Sequence, residues 1–217
     1  MLLQPMDAYC ERTSAAYWAE PVNALTNLAF VLVALLMWRR SAGLPVARGL
    51  SMVLGIIGVG SFLFHTHANR ATAILDVAPI LGFILIYVFA ATRDFLGLRA
   101  WWPWAAVIAF FPYAALTVPV FASLLPIGSS AGYAPIPVLI LAYALALRHR
   151  APATAKGMAL GAVILVVSLI FRTLDGPLCP IWPLGTHFMW HLLNAVMLGV
   201  MIEIYRRHML AGPMQPG

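Results

Sequence analysis

The stretch 58–70, "GVGSFLFHTHANR", closes an apolar run that begins near Leu50. A helix needs about 17–25 residues to cross the hydrocarbon core of a bilayer, and this run has them. Working outward, the apolar runs lie at roughly 22–38, 50–66, 73–91, 101–120, 132–147, 156–172 and 185–204. The fifth is short and holds Pro135 and Pro137, so its start is the least defined. The composition agrees: 63% of the 217 residues are hydrophobic and 9% are charged, against about 25% charged in a soluble domain. A core of this size could not bury so much apolar surface. The expected fold is an all-α membrane protein, a seven-transmembrane helix bundle. Residues 1–217 form one domain, with an outer segment at 1–21 and a disordered tail at 211–217. No leader is visible before Asp7, so the first span is expected to serve as its own insertion signal.

Charge orients the bundle. The net charge of +6 is not a nucleic-acid footprint, because the basic residues fall in short clusters between apolar runs. With the N-terminus outside, the inner segments hold Arg39, Arg40, Arg48, Arg93, Arg99, Arg148, Arg150, Lys156, Arg206 and Arg207. The outer segments hold Arg12, Arg70 and Arg172. Ten against three is the asymmetry of a chain with its N-terminus outside and its C-terminus in the cytoplasm. Twelve Arg to one Lys points to a high-GC bacterial genome, and hence to a multi-pass protein of a bacterial inner membrane.

That topology brings costly residues to one depth. His65 ends the second run, Asp76 starts the third, and His187 and His191 start the seventh. Ionisable groups within spans are expensive and mark function. His187 and His191 are four residues apart and share a helix face, as do Ser61 and His65. Three imidazoles leave one tetrahedral position of Zn²⁺ open for water, the arrangement of a catalytic site. Zinc lowers the pKa of that water to about 7. Asp76 is placed to take or orient its proton, and Ser61 to donate to an oxyanion. A duller reading exists for each group alone: an interfacial histidine, a helix-start carboxylate, a serine bonded to its own helix. His67, two residues from His65, points elsewhere and is expected to be interfacial. A bis-histidine haem carrier would leave the third imidazole, Asp76 and Ser61 unexplained.

Five motifs in order resemble the alkaline ceramidase family, within the wider group of seven-helix membrane hydrolases that includes the adiponectin-type receptors. They are "YCER" with "AEPVNALTNLAF", "GSFLFH", the "LDVAP" aspartate eleven residues after His65, "DGPLCP", and "HFMWH". The resemblance implies zinc at His65, His187 and His191, Asp76 as the activator of water, and Ser61 as oxyanion partner. It implies hydrolysis of the amide of a ceramide-like membrane lipid. A related N-acyl lipid is an alternative substrate, and a receptor-like or lipid-remodelling protein with structural zinc is the alternative function. The family also carries a calcium site near its N-terminus. Asp7, Glu11 and Glu20 could supply oxygens for Ca²⁺ here, although Asp7 is displaced and Thr13 stands at the family's Asn position; otherwise these acids face solvent or pair with Arg12. A Cys10–Cys179 disulfide is implied as well, two free thiols being the alternative.

Other polar residues have structural expectations. Asn23 and Asn27 are expected to bond between helices. Arg172 and Asp175 are expected to form a salt bridge or cap. Glu203 should pair with Arg206 and Arg207. Tyr133 and the tryptophans, Trp190 among them, are expected at the membrane interfaces.

Overall fold

A computed structural model describes residues 2–212. The expected tail disorder falls largely on residues 213–217, which lie outside them. The described chain is helical apart from one β-bridge between Pro5 and Asn69. Its helices are α1 (Pro21–Thr26), α2 (Leu28–Arg40), α3 (Pro45–His67), α4 (Arg70–Ala90), α5 (Trp102–Leu124), α6 (Pro135–Leu147), α7 (Pro152–Leu178) and α8 (His187–Leu210). α1 and α2 form one span, broken at Asn27. A π turn, Ala91–Phe95, extends α4, and a 3₁₀ turn, Gly128–Gly132, precedes α6. The result is seven segments long and apolar enough to cross a membrane.

Prolines set many of the starts. α1, α3, α6 and α7 each open on a proline, where its missing N–H would have had no helical partner and its φ is already helical. The spans run past the apolar runs: 45–67 rather than 50–66, and 152–178 rather than 156–172. The added turns carry polar residues such as Arg48, Thr154 and Asp175. A hydropathy reading excludes these residues, but backbone hydrogen bonding carries the helix through them into the interface. Leu116, Leu124, Ile108 and Val163 face outward as large exposed apolar side chains, as a lipid-facing surface requires.

The packing concentrates on α2, α3, α7 and α8. Leu50, Leu54, Ile57, Met158 and Ile202 are fully buried among them. α5 lies at the periphery, with Pro103 and Phe110 its buried residues. Asn23 and Asn27 differ from expectation. Asn23 donates to Glu20, and Asn27 donates to the Asn23 carbonyl. Their bonds stay within the first span and its approach, because the helix break at Asn27 frees nearby backbone acceptors.

Two glycines hold the histidine end together. α3 and α4 meet at a tight turn, with Ala68 left-handed (φ 42°) and Asn69 forming a reciprocal cap with Thr72. Above that turn Gly60 faces the Leu75 carbonyl so closely that a β-carbon would overlap it. This contact lets the α4 backbone approach α3 and brings Asp76 beside Ser61. Gly185, in the loop before α8, has φ +69° and sits against the Asp175 carboxylate and the Cys10 β-carbon. A side chain there would be strained and would collide with both. We expect Gly60→Ala to lower stability by roughly 1–3 kcal/mol. Gly82→Ala on α4, where a β-carbon meets open space, should change it little. Unfolding of the detergent-solubilised variants provides the measurement.

Candidate metal centre

The three histidines converge. His65, at the end of α3, and His187 and His191, in the first turns of α8, are all buried, and one ring nitrogen from each lies within 4.8 Å of the others. The rings contact one another with centroids 4.6–5.2 Å apart. Among the described residues no other group of three His, Cys, Asp or Glu side chains has metal-ligand spacing.

Hydrogen bonding assigns the facing atoms. His65 Nδ1 donates to Glu20 at 2.6 Å. His191 Nδ1 donates to the Thr26 hydroxyl at 2.9 Å, and that hydroxyl in turn donates to the Val22 carbonyl. These bonds leave the Nε2 lone pairs of His65 and His191 free. His65 Nε2, His191 Nε2 and His187 Nδ1 are all buried without a partner. Three orphaned acceptors of this kind carry a large desolvation cost, which a shared metal ion removes. The donor set is imidazole, with outer partners that fix the tautomers of His65 and His191 and a stacked Tyr9 ring against His187, surroundings that suit histidine-ligated zinc.

The helices are held in register by the N-terminal segment. Cys10 and Cys179 form a disulfide. Asp175, near the end of α7, accepts from the backbone N–H groups of Cys10, Thr186 and His187 at 3.0, 2.8 and 2.9 Å. It therefore caps α8 at the turn that bears His187. The expected Arg172–Asp175 ion pair is not formed. Instead Arg172 donates to Ser129 and Ser130, because those backbone donors already occupy the Asp175 oxygens.

The acidic residues assigned to calcium do other work. Glu11 accepts from the N–H groups of Val22 and Asn23 at 2.7 and 2.8 Å, satisfying the first turn of α1. Glu20 is buried between His65 and Arg12. Arg12 also donates to the carbonyls of Ser14, Ala16 and His65. A guanidinium thus occupies the oxygen-rich pocket that a hard cation would need. Asp7, Glu11 and Glu20 are not brought together as a calcium site. Burial alone would raise the Glu20 carboxyl, but His65 and Arg12 hold it below the ordinary carboxylate range.

Ser61 and Asp76 line one cavity with His191, Tyr133, Trp190 and Asn194. Tyr133 belongs to this wall rather than to an outer belt. Trp190 is buried against it, ring centroids 5.1 Å apart, because it faces α7 and not lipid. His67 is exposed and edge-on to Tyr17, apart from the trio. Sequence reasoning missed Tyr9, whose ring stacks on His187 at 3.6 Å. Burial raises its phenol well above the ordinary range, against the opposing pull of Arg172, so it stays protonated. It also missed Thr26 as the partner of His191 and Glu20 as that of His65. A carboxylate directly before the first span was the available signal for Glu20. At the opposite end, Glu203 pairs with Arg206 and Arg207 as expected, and also with Arg40.

The class of protein defined here is a bundle of seven potential membrane spans with a buried three-histidine cluster at one end that could hold a metal ion. The ceramidase family profile matches residues 7–215, nearly the whole chain, and the protein belongs to that family. No curated protein matches the sequence.

Elemental analysis of the purified protein should find about one zinc per chain, and a His187→Ala, His191→Ala double variant should lose it. Glu20→Gln should keep the fold and weaken metal affinity by roughly 10–100-fold, read by chelator competition.

Proposed function

We propose that this protein is a zinc-dependent hydrolase that cleaves the amide bond of ceramide or a related N-acyl membrane lipid, releasing a fatty acid and an amine. The observation that carries this reading is the set of three orphaned imidazole nitrogens with Asp76 and Ser61 in the adjoining cavity. His65, His187 and His191 would hold the ion. When bound, zinc would supply Lewis acidity toward the amide carbonyl and an activated water.

The chain's own residues supply the rest. Glu20 and Thr26 fix the imidazoles so that their lone pairs face inward. Asp76 is the group to accept a proton from the attacking water and to return it to the departing amine nitrogen. Ser61 donates to the charge that develops on the carbonyl oxygen. Close approach of α4 at Gly60 holds these two side chains together. The cavity shares Ile84, Ile136, Met197 and Leu198 with a second, wholly apolar one that extends to Tyr87, Tyr143 and Met158. An acyl chain running along this seam, with its amide at Asp76, would displace flexible Met and Leu side chains rather than backbone.

Ten of the thirteen basic residues lie at the opposite end of the bundle, which supports a histidine end on the outer side. A two-chain lipid could then reach the site laterally from the outer leaflet. The residues of the site favour hydrolysis over a purely receptor-like role, since both Asp76 and Ser61 line the cavity beside His191.

Incubation with a panel of N-acyl lipids, with and without a zinc chelator, should show fatty-acid release that the chelator stops; no release from any lipid would refute the assignment. Asp76→Ala should retain the metal and lose turnover. Ser61→Ala should slow it by roughly 10²–10³-fold, measured as initial rates by mass spectrometry.

A further inference from the structure

Arg172 lies at the rim of the proposed site and is not accounted for by it. Its guanidinium sits over two rings, 5.3 Å from the Tyr133 centroid and 5.5 Å from that of Trp190. Both rings line the cavity that contains Ser61, Asp76 and His191. One terminal nitrogen donates to the Ser129 and Ser130 hydroxyls at 2.8 and 3.1 Å, and Ser130 is itself held by Thr173. The side chain is therefore clamped by rings below and hydroxyls beside it.

Its electrostatic situation is unusual for so fixed a cation. Among the described residues Arg172 makes no ion pair with a carboxylate. Asp175, three residues on, is committed to three backbone N–H groups. Yet the two rings it covers line the same cavity as Asp76 and His191. An arginine at the end of a span that served only the interface would extend toward headgroups and water. This one is turned across the rings of the cavity wall, with part of its fork of N–H donors unused.

We propose that Arg172 recognises a carboxylate carried beside the scissile amide, so that the substrates this site prefers are N-acyl amino acid lipids rather than neutral ceramides. The inference rests on the amide-hydrolase reading above. A planar carboxylate matches the guanidinium fork in two parallel hydrogen bonds. The fork lies against two rings of the cavity wall, so a carboxylate paired with it would sit beside a lipid amide held in that cavity. Hydrolysis then adds water across the amide: the C–N bond breaks, the acyl carbon takes the oxygen, and the amino acid leaves with the proton on nitrogen.

The test uses two probes that differ in the head alone, N-oleoylglycine and N-oleoylethanolamine. Binding is measured by native mass spectrometry on the full-length, zinc-loaded Asp76→Asn variant, which prevents turnover. The carboxylated probe should bind at least about tenfold more tightly than the ethanolamide, the gain expected of a charge-assisted pair. Adding Arg172→Met should bring the ratio close to one, and Arg172→Lys, which keeps charge but not the fork, should leave an intermediate value. If the methionine variant does not fold, Ser129→Ala with Ser130→Ala, which releases the clamp, should lower the ratio instead. Equal binding of both probes to the parent overturns the proposal, as does a preference that survives Arg172→Met. Turnover is followed in parallel with Asp76 intact. Failure to hydrolyse either probe would count against the hydrolase reading, and the binding ratio would still judge Arg172.

Discussion

Three imidazole nitrogens, buried and facing one another with no protein group between them, set the terms for one end of this bundle. Each would be expensive in an apolar interior on its own. Together they make sense around a shared cation, and much of the surrounding structure holds them in that relation. Glu20 and Thr26 choose the tautomers of His65 and His191. Tyr9 stacks against His187, and Asp175 caps the helix that carries it. The strap of residues before α1 is thus part of the site rather than an appendage.

The strap also resolves a contest between two cations. The oxygens near the start of α1 form a pocket suited to a positive charge, and Arg12 fills it from within the chain. A guanidinium brings its charge at fixed stoichiometry and cannot dissociate. The link from Arg12 through Glu20 to His65 therefore makes the geometry of a histidine ligand a property of the covalent chain, independent of a second ion.

The sequence was most legible where one physical rule dominates. Seven apolar runs declared seven spans, because the cost of polar groups in hydrocarbon leaves little freedom. The depth of His65, Asp76, His187 and His191 followed from the same rule, since topology alone sets which helix ends share a level. What stayed hidden were pairings across the fold. Thr26 and His191 are 165 residues apart, and nothing periodic links them. Tyr9 and Arg12 lie in an irregular segment whose path depends on where α3, α7 and α8 already are. The calcium reading of Glu20 rested on the family resemblance; its alternative, pairing with Arg12, is what the structure shows, while its bond to His65 was not anticipated. The span ends were misjudged for a different reason: helices continue into the interface after hydropathy has faded.

The disulfide has a consequence for how the molecule is made. Cys10 and Cys179 are separated by 169 residues, with six complete spans between them. During synthesis the first cysteine emerges long before its partner. It must wait as a free thiol, on the side to which the N-terminal segment has been delivered, until the end of α7 arrives. Only then can the strap close, and α8 with two of the three histidines is still to come. Two of the three histidines stand in the first turns of α8, so a chain cut short before α8 cannot form the three-histidine centre.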